Sequence, residues 1–342
     1  MKDQLDVGGL ALIAAGHSAF QLLWAGVKLN LFAALSKNPG LTKAEIAQKI
    51  GLQPQPARIL LTGLTALRLI LKENHSYRNA AIVEQLLVPD SPQNLSDILG
   101  WQALIVYPGQ VDFVESLHSN TNVGLRRFPG NENNLYQRLA HDPALEKVFH
   151  DAMSSLSRSA NAILAKAVDF SEIKHLVDAG GGDGTNAISL AKAHPHLRIT
   201  VFDVPSVCRL AQSNFEKSAL AERLGVHAGD LFSTPFPAGI DGILLAHMMT
   251  IWSLDKDTAL LKRAYDALPP GGKVIIFNMM GNDEEDGPLT TALGSPYFLT
   301  IATGEGMAYS WQEYENCLRS AGFRQTQRLA LPRDHGALVG IK

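Results

Sequence analysis

The run His175-Leu-Val-Asp-Ala-Gly-Gly-Gly-Asp-Gly184 carries an apolar strand into a glycine cluster that opens a helix. Glycine at 180, 182 and 184 lets the chain turn sharply, so that a ligand can lie against main-chain N–H groups at a helix N-terminus. The next strand ends on Val201-Phe-Asp-Val-Pro205, about 20 residues on, where the Asp203 carboxylate can accept both hydroxyls of a ribose. A third element, Gly229-Asp-Leu-Phe232, offers Asp230 to an exocyclic amine and the Phe232 ring to a base. Singly, the glycines are a tight turn and the acids are helix caps. In order, at the C-terminal ends of successive strands, they point to an adenosine-like ligand. A dinucleotide fingerprint needs G-x-G-x-x-G, and the sixth position after Gly180 and Gly182 is Thr185, which speaks against NAD.

These loops need a sheet to hold them. After Ser171 short apolar runs alternate with helical segments, the pattern of a parallel sheet with crossover helices. Strands are expected at Lys174–Ala179, Arg198–Asp203, Arg223–Ala228, Gly242–His247 and Lys273–Asn278, with an antiparallel pair at Gln325–Leu331 and Gly336–Ile341. Before that point the chain reads as all-α, with one long helix from Leu10 to Leu35 that is apolar on several faces. Thr42 and Glu45 have capping-box spacing for a helix through Ile50. A second helix is expected at Ala57–Leu71, and Lys72–Arg78 reads as a hairpin turn. Helix, turn, helix, wing is a winged-helix pattern, but its second helix offers only Arg58 and Arg68, too few basic or polar groups for reading DNA. Further helices up to 165 are broken at Pro108, Pro129 and Pro143. The expected domains are 1–165 and 166–342.

Composition bounds the rest. The 342 residues are 46% hydrophobic and 18% charged, which suits a compact core. Thirty Lys and Arg against 33 Asp and Glu leave a net charge of -3, without the basic excess a nucleic-acid partner requires. Cys208 and Cys317 have no metal-site spacing and suit a reducing compartment. The apolar stretch Gly8–Ala15 has only Lys2 as a basic flank and no cleavage-like site, so no signal peptide is expected. No run of about 18 apolar residues suggests a membrane span. A cytoplasmic protein without bound metal is predicted.

The motifs LVDAGGGDG, FDVPSV, GDLF, LPPGGKV and SWQEYENCLRSAGF, in this order over nearly the whole chain, resemble the class I S-adenosylmethionine-dependent small-molecule O-methyltransferases. The resemblance implies a Rossmann-like, doubly wound α/β domain that binds S-adenosylmethionine, behind a helical winged-helix domain that forms a homodimer and covers the substrate. By resemblance Gly180, Gly182 and Gly184 hold the methionine part of the cofactor, Asp203 the ribose, and Asp230 with Phe232 the adenine. Asp178, Val204, Leu231 and Ala246 complete the cofactor site. In FHDAMSSLS, Phe149 and Met153 match a family helix near the reacting methyl, and Ser157 matches a cofactor contact.

Phenol-methylating members usually carry a general-base His, followed by Asp and Trp, after the fourth strand. Ungapped alignment from Asp241 to Trp252 puts Thr250 at the base position and Ile251 at the acid. The two glutamates that orient the base become Asn278 and, by alignment, Ala308. A base is worth ~10²- to 10⁴-fold to a phenol with pKa near 10, and a threonine hydroxyl cannot serve. An acceptor that is already electron-rich needs only alignment. The leading expectation is methyl transfer to a small aromatic or enolic metabolite, with O, N or C as acceptor. The alternatives are a cofactor-binding member that rearranges or decarboxylates without methylating, and a ligand-responsive regulator. His247 and the acids Glu284, Glu285 and Asp286 are substitute bases by position, although the trio reads as a solvated loop. Trp101, Tyr107, Tyr136 and Trp252 are candidate pocket aromatics.

Overall fold

The computed structural model describes residues 5–342, so Lys2 lies outside the described residues. Contacts divide the chain into two compact units, one running to Ile105 and including Asp151–Ser155, the other comprising Val106–His150 and Leu156–Lys342. The composition change at 165/166 marks where strands begin, whereas packing groups residues 106–150 with the sheet.

In the first unit the expected helix from Leu10 to Leu35 is three helices, Val7–Ala14, Gly16–Lys28 and Leu31–Lys37. The first two meet at a 64° bend, and Asn30, left-handed at φ 56°, separates the last two. Apolar residues on every face conceal such breaks, because no polar stripe registers the change of direction. Leu31, Phe32 and Leu35 are buried against Ile46, Leu61 and Leu64. Val7, Leu10 and Ile13 stand 86%, 58% and 67% exposed. The Thr42–Glu45 capping box forms and opens Lys43–Lys49. The following helix is Pro54–Ala66, not Ala57–Leu71. Proline suits a first turn whose N–H groups lack partners, and Arg68 turns left-handed at φ 59°, which frees the chain to enter a strand. Strands β1 (Leu41–Thr42), β2 (Ile70–Glu73) and β3 (Ser76–Asn79) pair antiparallel in the order β1-β3-β2 and complete the winged-helix pattern.

The second unit holds a seven-stranded sheet in the order β6-β5-β4-β7-β8-β10-β9. Its strands are β4 (His175–Ala179), β5 (Arg198–Asp203), β6 (Leu224–Ala228), β7 (Gly242–Ala246), β8 (Lys273–Met279), β9 (Gln325–Ala330) and β10 (His335–Ile341). Each bound lies within one residue of the expected one. Strands β4 to β8 run parallel, and β10 pairs antiparallel with both β8 and β9. The chain winds outward from β4 through β5 and β6, then returns to wind the other way through β7 and β8. That reversal leaves a crevice at the carboxyl ends of β4 and β7, where such sheets bind ligands. Side chains alternate between the two faces: Val274 and Ile276 join one buried cluster, Ile275 and Phe277 the other. Asn278 therefore shares a face with Ile276, opposite to Phe277.

Candidate active site

After β4 the chain turns through Gly180, Gly182 and Gly184 at φ 72°, 59° and 80°, a region costly for other residues. A methyl at Gly184 would strike the Phe215 ring, whereas one at Gly182 would meet nothing within 4 Å. The loop is thus closed against the core and open at Gly182. It is tied to β5 at two points: Gly180 N–H donates to the Phe202 carbonyl (2.8 Å) and Gly182 N–H to Asp203 Oδ2 (3.0 Å). Val204 N–H donates to Asp203 Oδ1 (2.7 Å). Burial pushes the Asp203 carboxyl up, while these two N–H groups and the nearby His150 charge pull it down. Gly229 N–H donates to the Asp203 carbonyl (2.9 Å), which brings the third motif beside the second. Asp230 Oδ1 accepts from Phe232 N–H (2.9 Å), and the Phe232 ring stands edge-on to Trp252 at 5.2 Å. Leu231 packs on the same cluster, and buried Ala246 closes β7.

Asp178 is fully buried beneath the loop, with no partner for either carboxylate oxygen. Burial and the charges of Asp203 and Asp183 push its carboxyl up to about 7. A cation bound over the loop would relieve that deficit, and the carboxylate acceptors at 203 and 230 suit hydroxyl and amine donors. The loop therefore fits a positively charged adenosine derivative such as S-adenosylmethionine. Met153 and Ser157 are half-buried on the helix Pro143–Ala167, Met153 in the first unit and Ser157 in the second. Asn161 of that helix donates to the Thr185 carbonyl (3.4 Å), which joins it to the start of the helix after the glycine loop.

The ends of β7 and β8 differ in kind. His247 turns left-handed at φ 55°, and its ring lies edge-on to Phe277 (5.1 Å) and His335 (5.2 Å). Its Nε2 is buried without a partner. Burial, with His335 adding to it, lowers its pKa to about 3, so the imidazole is neutral at pH 7 and a weak base. It lies with Phe277, across the sheet from Asn278. Thr250 is 7% exposed. The turn it occupies is gripped through its main chain: Thr303 Oγ1 donates to the Ile251 carbonyl, Tyr309 OH donates to the Trp252 carbonyl (2.8 Å), and a methyl at Gly306 would collide with the Thr250 carbonyl. Asn278 is wholly buried, with Nδ2 donating to the Tyr314 hydroxyl (3.3 Å) and Oδ1 unpartnered. Ala308 N–H donates to Ser295 Oγ (3.1 Å), and its methyl side chain can orient nothing.

Glu284, Glu285 and Asp286 are exposed on a turn that Asn282 closes through Asp286 and Gly287. Tyr136 stands edge-on to Phe149 at 5.6 Å. Trp101 falls in the first unit and Tyr107 in the second. Among the described residues no group of three or more His, Cys, Asp or Glu side chains could hold a metal. The structure adds residues that spacing alone did not single out, above all Asp257. It is fully buried with both carboxylate oxygens unpartnered, and burial pushes its carboxyl up to about 9. Its sequence signal is legible: Asp257 lies at helical spacing with buried Leu260, Leu261 and Ala264.

The O-methyltransferase domain family matches residues 118–324, and the O-methyltransferase dimerisation domain family matches residues 12–89. The L-tyrosine C(3)-methyltransferase of Streptomyces lavendulae is 43% identical over 345 residues, covering 100% of this chain and 94% of its own length. The S-adenosylmethionine-dependent methyltransferase SibL, solved in its apo form, is 39% identical with a TM-score of 0.86, over 98% of this chain and 99% of its own. Human N-acetylserotonin methyltransferase, solved with S-adenosylmethionine, is 26% identical with a TM-score of 0.88, over 100% of this chain and 99% of its own. Taken with the glycine loop and its carboxylates, these likenesses show that the chain belongs to the S-adenosylmethionine-dependent O-methyltransferase family, as a methyltransferase of small molecules that carries the family's dimerisation domain.

Proposed function

We propose that this enzyme methylates a ring carbon of a phenolic amino acid of the L-tyrosine class and leaves the phenolic oxygen free. The observation that carries this reading is the pair of buried polar groups at the ends of β7 and β8. Neither the Thr250 hydroxyl nor the Asn278 amide takes a proton at neutral pH. Methylating the oxygen of a phenol requires its proton to leave, and deleting the base from such a site costs ~10²- to 10⁴-fold. A ring carbon beside the hydroxyl is already electron-rich, and alignment alone supplies ~7 to 11 kcal/mol. Bound S-adenosylmethionine supplies a methyl carbon that accepts an electron pair while the sulfur takes back its bonding pair. The π electrons of the ring carbon form the new carbon–carbon bond. The electrons of the ring C–H bond then restore aromaticity as the proton leaves to water. His247 is a poor substitute base, held neutral between Phe277 and His335. The name of the 43% identical relative, a tyrosine C-methyltransferase, supports the same acceptor class.

In this reading Gly180, Gly182 and Gly184 carry the methionine portion of the cofactor, Asp203 and Val204 the ribose, and Asp230, Leu231 and Phe232 the adenine. Asp178, Ala246 and Ser157 complete its surroundings. The enzyme works as a cytoplasmic homodimer. Exposed Val7, Leu10 and Ile13 give the N-terminal unit an apolar face to pair, and two free, buried cysteines suit a reducing compartment. Incubation with methyl-labelled S-adenosylmethionine and L-tyrosine, followed by NMR of the product, is expected to place the label on a ring carbon. An aryl methyl ether, a methylated amine or an unlabelled product overturns the reading.

A further inference from the structure

Asn278 keeps a polar atom that the fold leaves without a partner. Its side chain is 0% exposed, Nδ2 is fixed on the Tyr314 hydroxyl at 3.3 Å, and Oδ1 accepts from nothing. A buried carbonyl in that state is costly, and native folds leave few such atoms, each of which calls for an explanation. Asn278 is the penultimate residue of β8, at the carboxyl edge where this kind of sheet receives ligands. Met248, Met249, Tyr309 and Tyr314, all buried, belong to the cluster on the face it shares. Whatever completes it must donate, and a carbonyl oxygen accepts a hydrogen bond without removing the proton. The other unpartnered buried groups nearby serve less well. His247 lies on the opposite face with Phe277, and Asp257 lies on the helix Leu254–Ala267 and not on a strand, near Tyr309 and Tyr314.

We infer that the Asn278 carbonyl accepts the phenolic O–H of the substrate, which makes Asn278 a substrate-binding residue that sets specificity for a hydroxylated ring. The bond keeps the oxygen protonated while orienting the ring. Only the identity of the reacting atom rests on the ring-carbon reading above; the hydrogen bond is tested without it.

The test is calorimetric binding of L-tyrosine and L-phenylalanine to the full-length enzyme saturated with S-adenosylhomocysteine. The native enzyme should bind L-tyrosine at least tenfold more tightly, since a site built to meet a hydroxyl rejects the analogue lacking it. In Asn278→Leu the two should bind within about twofold of each other, with S-adenosylhomocysteine affinity unchanged as the check that the fold is intact. Tyr314→Phe removes the neighbour but not the carbonyl, so most of the preference should survive. Should Asn278→Leu fail to fold, Asn278→Asp keeps the size and an acceptor oxygen, so it should keep the preference for L-tyrosine. Equal binding of the two amino acids by the native enzyme overturns the inference, as does a native-like preference in folded Asn278→Leu or a lost preference in Asn278→Asp. An ether formed by the native enzyme overturns the ring-carbon reading alone, because the binding comparison still decides Asn278. Binding of neither amino acid overturns both.

Discussion

Along one edge of a single sheet, the half built on β4 to β6 and the half built on β7 and β8 treat their polar groups in opposite ways. Asp203 accepts from Gly182 and Val204, and Asp230 from Phe232 and Ser233. Their geometry is set by the loops after β4, β5 and β6 before any ligand arrives. Asp178 is the exception in that half, and the charge it lacks is one a cationic cofactor brings. At the other half Asn278, His247 and Asp257 are all buried with acceptor or ring nitrogen atoms unmet. On the proposed reading, the half that holds the cofactor is satisfied apart from Asp178, and the half that meets the acceptor depends on it for completion. Specificity can then reside in one or two side chains without disturbing cofactor binding.

The largest expected effect is at the satisfied half. Asp203→Ala should weaken S-adenosylhomocysteine binding by about 1.5 to 3 kcal/mol, measured by calorimetry, as expected for bonds to a charged group. Unchanged affinity would mean that the pre-formed half does not carry the cofactor. Next comes Asp257, whose carboxyl is raised from 3.8 to about 9 in the fold. The folded state keeps a proton that the unfolded chain gives up, so stability falls as pH rises from about 4 to about 9 and is level beyond. Asp257→Asn removes that cost and should stabilise the protein by about 2 kcal/mol at pH 8, or roughly 4 to 8 °C, with little gain at pH 4. Thermal unfolding at both pH values checks this, and an equal gain at each would show that the Asp257 carboxyl is not raised in the fold. The smallest effect is at Thr250. Thr250→Ala should lower kcat by no more than about tenfold on steady-state assay, short of the ~10²- to 10⁴-fold loss expected for a proton-transfer group. A thousandfold loss with cofactor affinity intact would make Thr250 part of the chemistry. If His247→Ala gave that loss instead, with a pH profile moved toward neutrality, its ring would leave the Phe277–His335 wedge in the working enzyme.

Strand positions were legible because each apolar run is short and bounded by turn residues, as Pro205 bounds β5 and Gly180 bounds β4. The breaks between Val7 and Lys37 were not, since an all-round apolar segment carries no direction. The proposed cofactor half of the site was legible because its acids close successive strands, and Asp203 and Asp230 each accept from an N–H one or two residues on; the second donor to Asp203, Gly182, comes from the loop after β4. The acceptor half was legible only piecewise. Asp257 with Leu260, Leu261 and Ala264, and Tyr314 with Cys317, Leu318 and Ala321, each betray a buried face by helical spacing. That Tyr314 reaches Asn278, or that His247 meets His335, depends on β10 entering the sheet beside β8. No local spacing encodes such an order.

The turn after β7 is gripped by Thr303, Tyr309 and Gly306 through the carbonyls of residues 250 to 252. None of those contacts runs through the residue 250 side chain, so the path of the turn and the choice of that side chain are held by different residues. In evolutionary terms the two are separable: a substitution at 250 leaves the main-chain anchors of the turn in place and is tested only by the buried space around the side chain itself. The position is therefore the first to randomise, among side chains of similar size, when a new acceptor is sought.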